Sequence, residues 1–286
     1  MAEASCPASC GELIQGWIGG GEKLVSCPID WFSTVEVHEG VTSRGERPRM
    51  RQILERVVTY FGHPLALAHS LSIALESTLP VGKGLASSTA DIAATAVATA
   101  HYLGETLDES TLAAICVQIE PTDSTIFHRP TLFDHLNARV QIGCQPLPAF
   151  EILLLESHAT LLTEDYRRLW REPALRRQAE MMDCAWLKLQ RACQQQDPLL
   201  LGEAATLSAI ANQQLLVKPM FSQLLELVEE FDLYGLNVAH SGSVVGLMLD
   251  SRQHDVEKVL WRLKRSAIDI PYPQQHLVKR VAGGVR

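Results

Sequence analysis

No run of eighteen apolar residues occurs in this 286-residue sequence, so nothing in it has the length and composition an α-helix needs to cross a bilayer. A basic N-terminal segment leading into an apolar stretch is also missing. The chain opens Met1-Ala-Glu-Ala-Ser5, and the expectation is a cytoplasmic protein with no membrane partner. Positive charge is scarce: 25 Lys and Arg stand against 33 Asp and Glu, for a net charge of −8. The local basic stretches, Arg44–Arg51 and Arg167–Arg177, lie among acidic or helix-patterned residues. Because cations must neutralise phosphates, a nucleic-acid partner is not expected, whereas a small anionic substrate needs only a local pocket. The seven cysteines (Cys6, Cys10, Cys27, Cys116, Cys144, Cys184 and Cys193) lack the second pair that a zinc site would add to Cys6 and Cys10, and read as reduced, mostly buried thiols. Repeats and low-complexity tracts are absent, and no feature of the sequence fixes an oligomeric state.

What is present is a globular composition, 47% hydrophobic and 20% charged, on a chain long enough for two domains. Trp31–His38 alternates like a strand, with Ser33, Val35 and Val37 on one side. Arg49–Phe61 carries apolar residues at helical spacing and meets Gly62 as a stop. Leu67–Leu75 alternates again. Ala86–Leu103 reads as a small-residue, buried helix, and Thr106 with Glu109 reads as a capping box for a helix reaching Ile119. Gln145-Pro-Leu-Pro148 punctuates the chain before the apolar run Ile152–Leu155, which places a domain boundary near residue 149. Helical patterns follow at Pro173–Gln195, Leu199–Leu216, Pro219–Tyr234 and Asp255–Arg265, with a last strand near Val278–Val281.

The chemistry centres on Leu79-Pro-Val-Gly-Lys-Gly-Leu-Ala-Ser-Ser-Thr-Ala-Asp91, a glycine-rich loop opening directly onto a helix. Gly82 and Gly84 permit positive φ and close backbone approach, and a helix starting near Ser87 aims unpaired N–H groups at an anion. A Walker A loop is excluded because its Lys directly precedes Ser or Thr, whereas Lys83 lies between glycines. The dinucleotide fingerprint is met only in part. A Ser-capped helix after a glycine turn would carry the same residues. Lys83 either leans over phosphate or projects into solvent.

The stretch Pro80-Val-Gly-Lys-Gly84-Leu-Ala-Ser-Ser88-Thr-Ala90 resembles the phosphate loop P-x-x-x-G-L-G-S-S-A-A of the GHMP kinases, with Ala86 in place of the inner glycine and Thr89 in place of an alanine. Cys6-Pro-Ala-Ser-Cys-Gly-Glu-Leu-Ile-Gln-Gly16 is similar to the family's first motif, with Glu12 where homoserine kinases carry Asn. Ala239-His-Ser-Gly-Ser-Val-Val-Gly-Leu247 is similar to the third, with Ser243 for a glycine. The resemblance implies an α+β, two-domain GHMP kinase fold. Residues 1–149 would form an N-terminal α/β ATP-binding domain with a left-handed βαβ unit, and 150–286 a C-terminal ferredoxin-like domain. It also implies ATP bound by Pro80, Val81, Gly82, Lys83, Gly84, Leu85, Ala86, Ser87, Ser88 and Thr89, and Mg2+ held by Ser88 and Glu120.

Ile119-Glu-Pro-Thr-Asp-Ser124 supplies the acids that metal and alcohol chemistry need, Glu120 for the metal and Asp123 as a catalytic base. The same two could be solvated turn acids, with Asp123 capping the next segment. Among GHMP kinases the combined motifs most resemble the L-threonine kinases of the aminopropanol arm of cobalamin synthesis, which implies L-threonine as acceptor. Glu12 would then face the substrate ammonium, or form a salt bridge with Lys23 or an Arg, and Arg129 or Arg139 would face the carboxylate. Another GHMP kinase, for homoserine or an isoprenoid alcohol, and a GHMP-fold ligand sensor are the alternatives. No histidine, including His101 and His240, is placed in the chemistry.

Overall fold

A computed structural model describes residues 1–42, 46–159 and 170–286. Arg44 and residues 167–169 of the two basic stretches lie outside the described residues. The chain begins with two long antiparallel strands, β1 (Ala2–Ile18) and β2 (Gly21–Glu39), turned at Gly19 and Gly20, both with positive φ. The expected strand at Trp31–His38 is the second half of β2, and Ser33, Val35 and Val37 are buried as its alternation requires. Helix α1 (Pro48–Tyr60) follows, and Gly62 ends it at φ 78°. Leu67–Leu75 is not one strand. Its start belongs to the short helix α2 (Leu65–His69), where Pro64 precedes the first turn, and only Leu71–Ser77 forms β3.

Helix α3 (Ser87–Tyr102) is almost wholly buried, as its alanine-rich sequence demands, because small side chains let it lie close to β1 and β2. The next helix, α4 (Glu109–Val117), is capped by Asp108, whose carboxylate accepts the Thr111 N–H at 2.7 Å. Thr106 therefore lies outside it: an Asp two positions later satisfies the same orphan donors. Strands β4 (Thr131–Phe133) and β5 (Gln141–Gly143) complete this half. Since β3 and β4 both pair antiparallel with β2, the path from β3 through α3 and α4 returns to the same edge of β2.

The second half contains β6 (Glu151–Glu156), α5 (Glu172–Arg177), α6 (Ala179–Gln195), α7 (Pro198–Asn212), α8 (Phe221–Glu230), β7 (Gly235–Val238), β8 (Val245–Leu249), α9 (Val256–Arg265) and β9 (Gln274–Lys279). Its strands lie in the order β7-β8-β6-β9, all antiparallel, which is the split βαβ arrangement of a ferredoxin-like unit. The sheet does not stop at residue 149. Glu12 on β1 pairs with Val238 on β7, making one nine-stranded sheet, and the larger hydrophobic core draws on both halves. Among the described residues no helix is long and apolar enough to cross a membrane.

Helix α7 meets β7 through bare backbone. A Cβ added at Gly202 would stand 1.7 Å from the Tyr234 carbonyl oxygen. Alanine is favoured over glycine inside a helix by about 1 kcal/mol, but a clash with main chain outweighs that preference. Gly202→Ala is expected to destabilise the protein by about 2–3 kcal/mol, measured as a lowered urea midpoint. An unchanged midpoint would contradict this packing.

Candidate active site

Three segments distant in sequence meet at the start of α3. Gly82 and Gly84 in the loop before it have φ of 74° and 86°, and Ala86, at the helix cap, has φ 56°. A left-handed conformation costs a residue with a Cβ about 1–2 kcal/mol, the physical reason that glycine suits this place. The Ser9 N–H on β1 donates to the Leu85 carbonyl at 3.0 Å, and the N–H groups of Ser243 and Val244 donate to the Lys83 carbonyl at 3.0 and 3.2 Å. Gly242 presses on Gly84 so closely that a Cβ on Gly242 would lie 2.4 Å from Gly84 Cα. The expected first and third motifs thus flank the glycine-rich loop.

Together they enclose a cavity of about 220 Å³. Val81, Gly82 and the run Gly84–Thr89 line it, with Glu12, Glu120 and Asp123. Pro80 and Lys83 are not among the lining residues. Lys83 neither leans over the cavity nor projects into solvent: its ammonium donates to the carbonyls of Ser157 and His158 at 2.7 and 3.3 Å, and lies 3.6 Å from Glu156.

The Ser88 hydroxyl donates to Glu120 Oε1, and Arg49 Nη1 lies 2.7 Å from Glu120 Oε2. Thr89 donates its hydroxyl to Asp123 Oδ2 at 2.8 Å and accepts the Asp123 N–H at 3.1 Å. Asp123 precedes the turn Ser124–Ile126 without a side-chain cap bond to it, so the turn-capping alternative does not describe its carboxylate. Glu12 is 4% exposed and accepts the His240 N–H at 2.5 Å. Burial, reinforced by Asp123, pushes its carboxyl well above the ordinary value, with His240 and Lys218 pulling the other way. Lys23, one partner of the alternative salt bridge, does not reach Glu12: its ammonium turns to the Ile18 carbonyl at 2.5 Å.

The sequence reading missed Arg49, His135, Arg171 and His240, all of which line the cavity. Arg171 Nε donates to both oxygens of Glu22, at 2.9 and 3.1 Å, and His240 Nε2 lies 3.3 Å from the same carboxylate. Burial raises the Glu22 carboxyl, but hydrogen bonds from His240 and Arg171 outweigh it and hold the group at about 2. Glu22, His135 and His240 offer donor atoms within 4.8 Å of one another, yet a guanidinium on the shared carboxylate opposes a cation there. Arg129 lines a different cavity and Arg139 is exposed, so neither faces this one. The missed residues come from α1, from the loop after β4, from the start of α5 and from the glycine segment; only His240 stands in a motif, the third, and no local motif marks Arg49, His135 or Arg171.

The sequence model of the family described as GHMP kinases N terminal domain matches residues 50–128. Over the whole chain the sequence is 58% identical to an L-threonine kinase of Citrobacter freundii, across 99% of that protein, and 57% identical to an L-threonine kinase of Salmonella typhimurium strain LT2, across 95% of it. The fold is shared with a crystal structure of mevalonate diphosphate decarboxylase from Staphylococcus aureus, at a TM-score of 0.74 and 14% identity, covering 100% of this chain and 97% of that one.

The raised Glu12 carboxyl has a consequence for stability. In the unfolded chain the group titrates near 4.5, and in the fold it keeps its proton to higher pH. The folded state therefore binds the proton more tightly, and the stability this confers, full below the unfolded value, is lost as pH rises through the folded one. Glu12→Gln removes that loss. Its Tm should gain on the wild type as pH is raised from about 4 to about 8, and thermal scans showing the opposite trend would contradict the assignment.

Proposed function

The chain belongs to the GHMP kinases, and within them to the L-threonine kinases; from that premise we propose how its cavity transfers the γ-phosphoryl group of ATP to the hydroxyl of L-threonine, giving O-phospho-L-threonine. The observation that carries the reading is that a phosphate loop, an acid-hydroxyl pair and a second acid converge on one cavity. Val81, Gly82 and residues 84–89 would cradle the triphosphate, the first turn of α3 contributing N–H groups that have no partners within the helix. The Ser88 hydroxyl and the Glu120 carboxylate are neighbouring oxygen donors of the kind magnesium takes, so the residues present fit that ion. When bound, it would neutralise charge on the phosphate oxygens.

Asp123 is the proposed base. It takes the proton from the threonine hydroxyl as that oxygen bonds to the γ-phosphorus and the bond to the β-γ bridging oxygen breaks, releasing ADP. Thr89 fixes the carboxylate at the helix start, beside the phosphates that the loop would hold. Glu12 faces the substrate ammonium, which would restore the ionised form that burial disfavours. Arg171, and not Arg129 or Arg139, supplies the cation for the substrate carboxylate, because it is the one of the three that lines this cavity. Use of the product in the aminopropanol arm of cobalamin synthesis is part of the same proposal.

ADP release measured with L-threonine, L-serine, L-homoserine and mevalonate tests the acceptor: a higher kcat/KM with homoserine or mevalonate than with threonine would overturn it. Asp123→Asn should lower kcat by about 10²–10⁴ while leaving KM for both substrates near wild type. Retention of more than about a tenth of kcat would remove Asp123 as base. Arg171→Met should raise KM for L-threonine by on the order of 10²-fold, the loss of a charge-assisted hydrogen bond, and leave KM for ATP alone. A rise confined to ATP would place Arg171 elsewhere.

A further inference from the structure

Glu120 already carries a cation. Its Oε1 takes the Ser88 hydroxyl hydrogen and its Oε2 lies 2.7 Å from Arg49 Nη1, so protein groups engage both oxygens that a divalent ion would need. The two partners differ in mobility. The Arg49 side chain is 40% exposed, whereas that of Glu120 is 6% exposed. A long side chain with that much solvent around it can leave its partner without disturbing packing, but the buried carboxylate must stay and be neutralised by something.

Anchoring α1 does not require this pair. Met50, Ile53, Leu54, Val57 and Val58 bury the helix, and Arg47 with Asp91 and Arg51 with Glu46 tie down its start. What remains particular to Arg49 is its place in the cavity wall, at the end of α1 that faces the phosphate loop. Its charge has the sign of the metal and the opposite sign to the polyphosphate.

We infer that Arg49 is a displaceable counter-ion for the metal-holding carboxylate: it occupies Glu120 in the nucleotide-free protein, yields to the divalent cation, and moves onto the polyphosphate that arrives with it. This rests on the reading that Glu120 holds the cation. Competition for one carboxylate makes the protein a weak cation binder without nucleotide, and couples metal and nucleotide binding, since each removes what opposes the other.

The test is Mn2+ binding to the nucleotide-free protein, followed by electron paramagnetic resonance, together with ATP binding by calorimetry. Arg49→Gln should bind Mn2+ roughly threefold to tenfold more tightly than wild type, the reverse of what a damaged site would do, and should bind ATP several-fold more weakly. Arg49→Lys keeps the charge and should stay near wild type in Mn2+ binding. Equal or weaker Mn2+ binding by a folded Arg49→Gln protein overturns the inference, and unchanged ATP affinity overturns the transfer to phosphate. Glu120→Gln should abolish Mn2+ binding in either background, leaving the full signal of the free ion. If it does not, the cation lies elsewhere and the reading of Glu120 is what fails.

Discussion

Two glycine backbones in contact, Gly84 against Gly242, are the constraint on which the site depends. Without that approach the Lys83 carbonyl could not receive the Ser243 and Val244 N–H groups, and the glycine-rich loop before α3 would have no support on the side of β7 and β8. The supporting loop is in turn held from inside. Lys218 is 2% exposed and donates to the carbonyls of Gly242 at 2.9 Å and Ala239 at 3.2 Å. Burial pulls its ammonium down to about 7, against the opposing pull of Glu12. Such a group is expensive to bury, but inward-turned carbonyls without donors would be expensive too. The lysine resolves both at one point.

Charges around the cavity are arranged as pairs. Glu120 is matched by Arg49 and Glu22 by Arg171, while the Thr89 hydroxyl donates to Asp123. Pairing a buried acid with a guanidinium offsets the cost of taking its charge out of water.

How much of this was legible in the sequence follows from the range of the interactions. The glycine-rich loop, α3 and the stop at Gly62 are local patterns, readable because glycine and alanine act through their own backbone. Lys83 was not readable, because its partners are carbonyls some seventy residues away whose position depends on β6. Arg49, His135, Arg171 and His240 share one cavity only because β1 pairs with β2 on one side and with β7 on the other. The exchange of Thr106 for Asp108 as cap was a local competition between two good residues, which spacing alone could not decide.

The first motif shows how a local pattern can be legible for a reason other than direct chemistry. In a regular strand, residues three apart point to opposite faces, yet β1 must support the glycine-rich loop at Ser9 and reach the cavity at Glu12. Its register shifts between Pro7 and Ser9, again before Glu12, and once more before Ile14, and Gly11 there takes φ 58° against the Val238 backbone. Each irregularity removes backbone groups from the ladder and leaves them in need of partners. The Ser9 hydroxyl answers two of them, donating to the Gly11 carbonyl at 2.5 Å and accepting the Cys27 N–H at 2.9 Å. Of the segment Cys6–Gly16, Glu12 alone lines the cavity. Ser9 and Gly11 are what a bulged strand requires, so this part of the motif encodes a bend in β1, and the bend delivers Glu12.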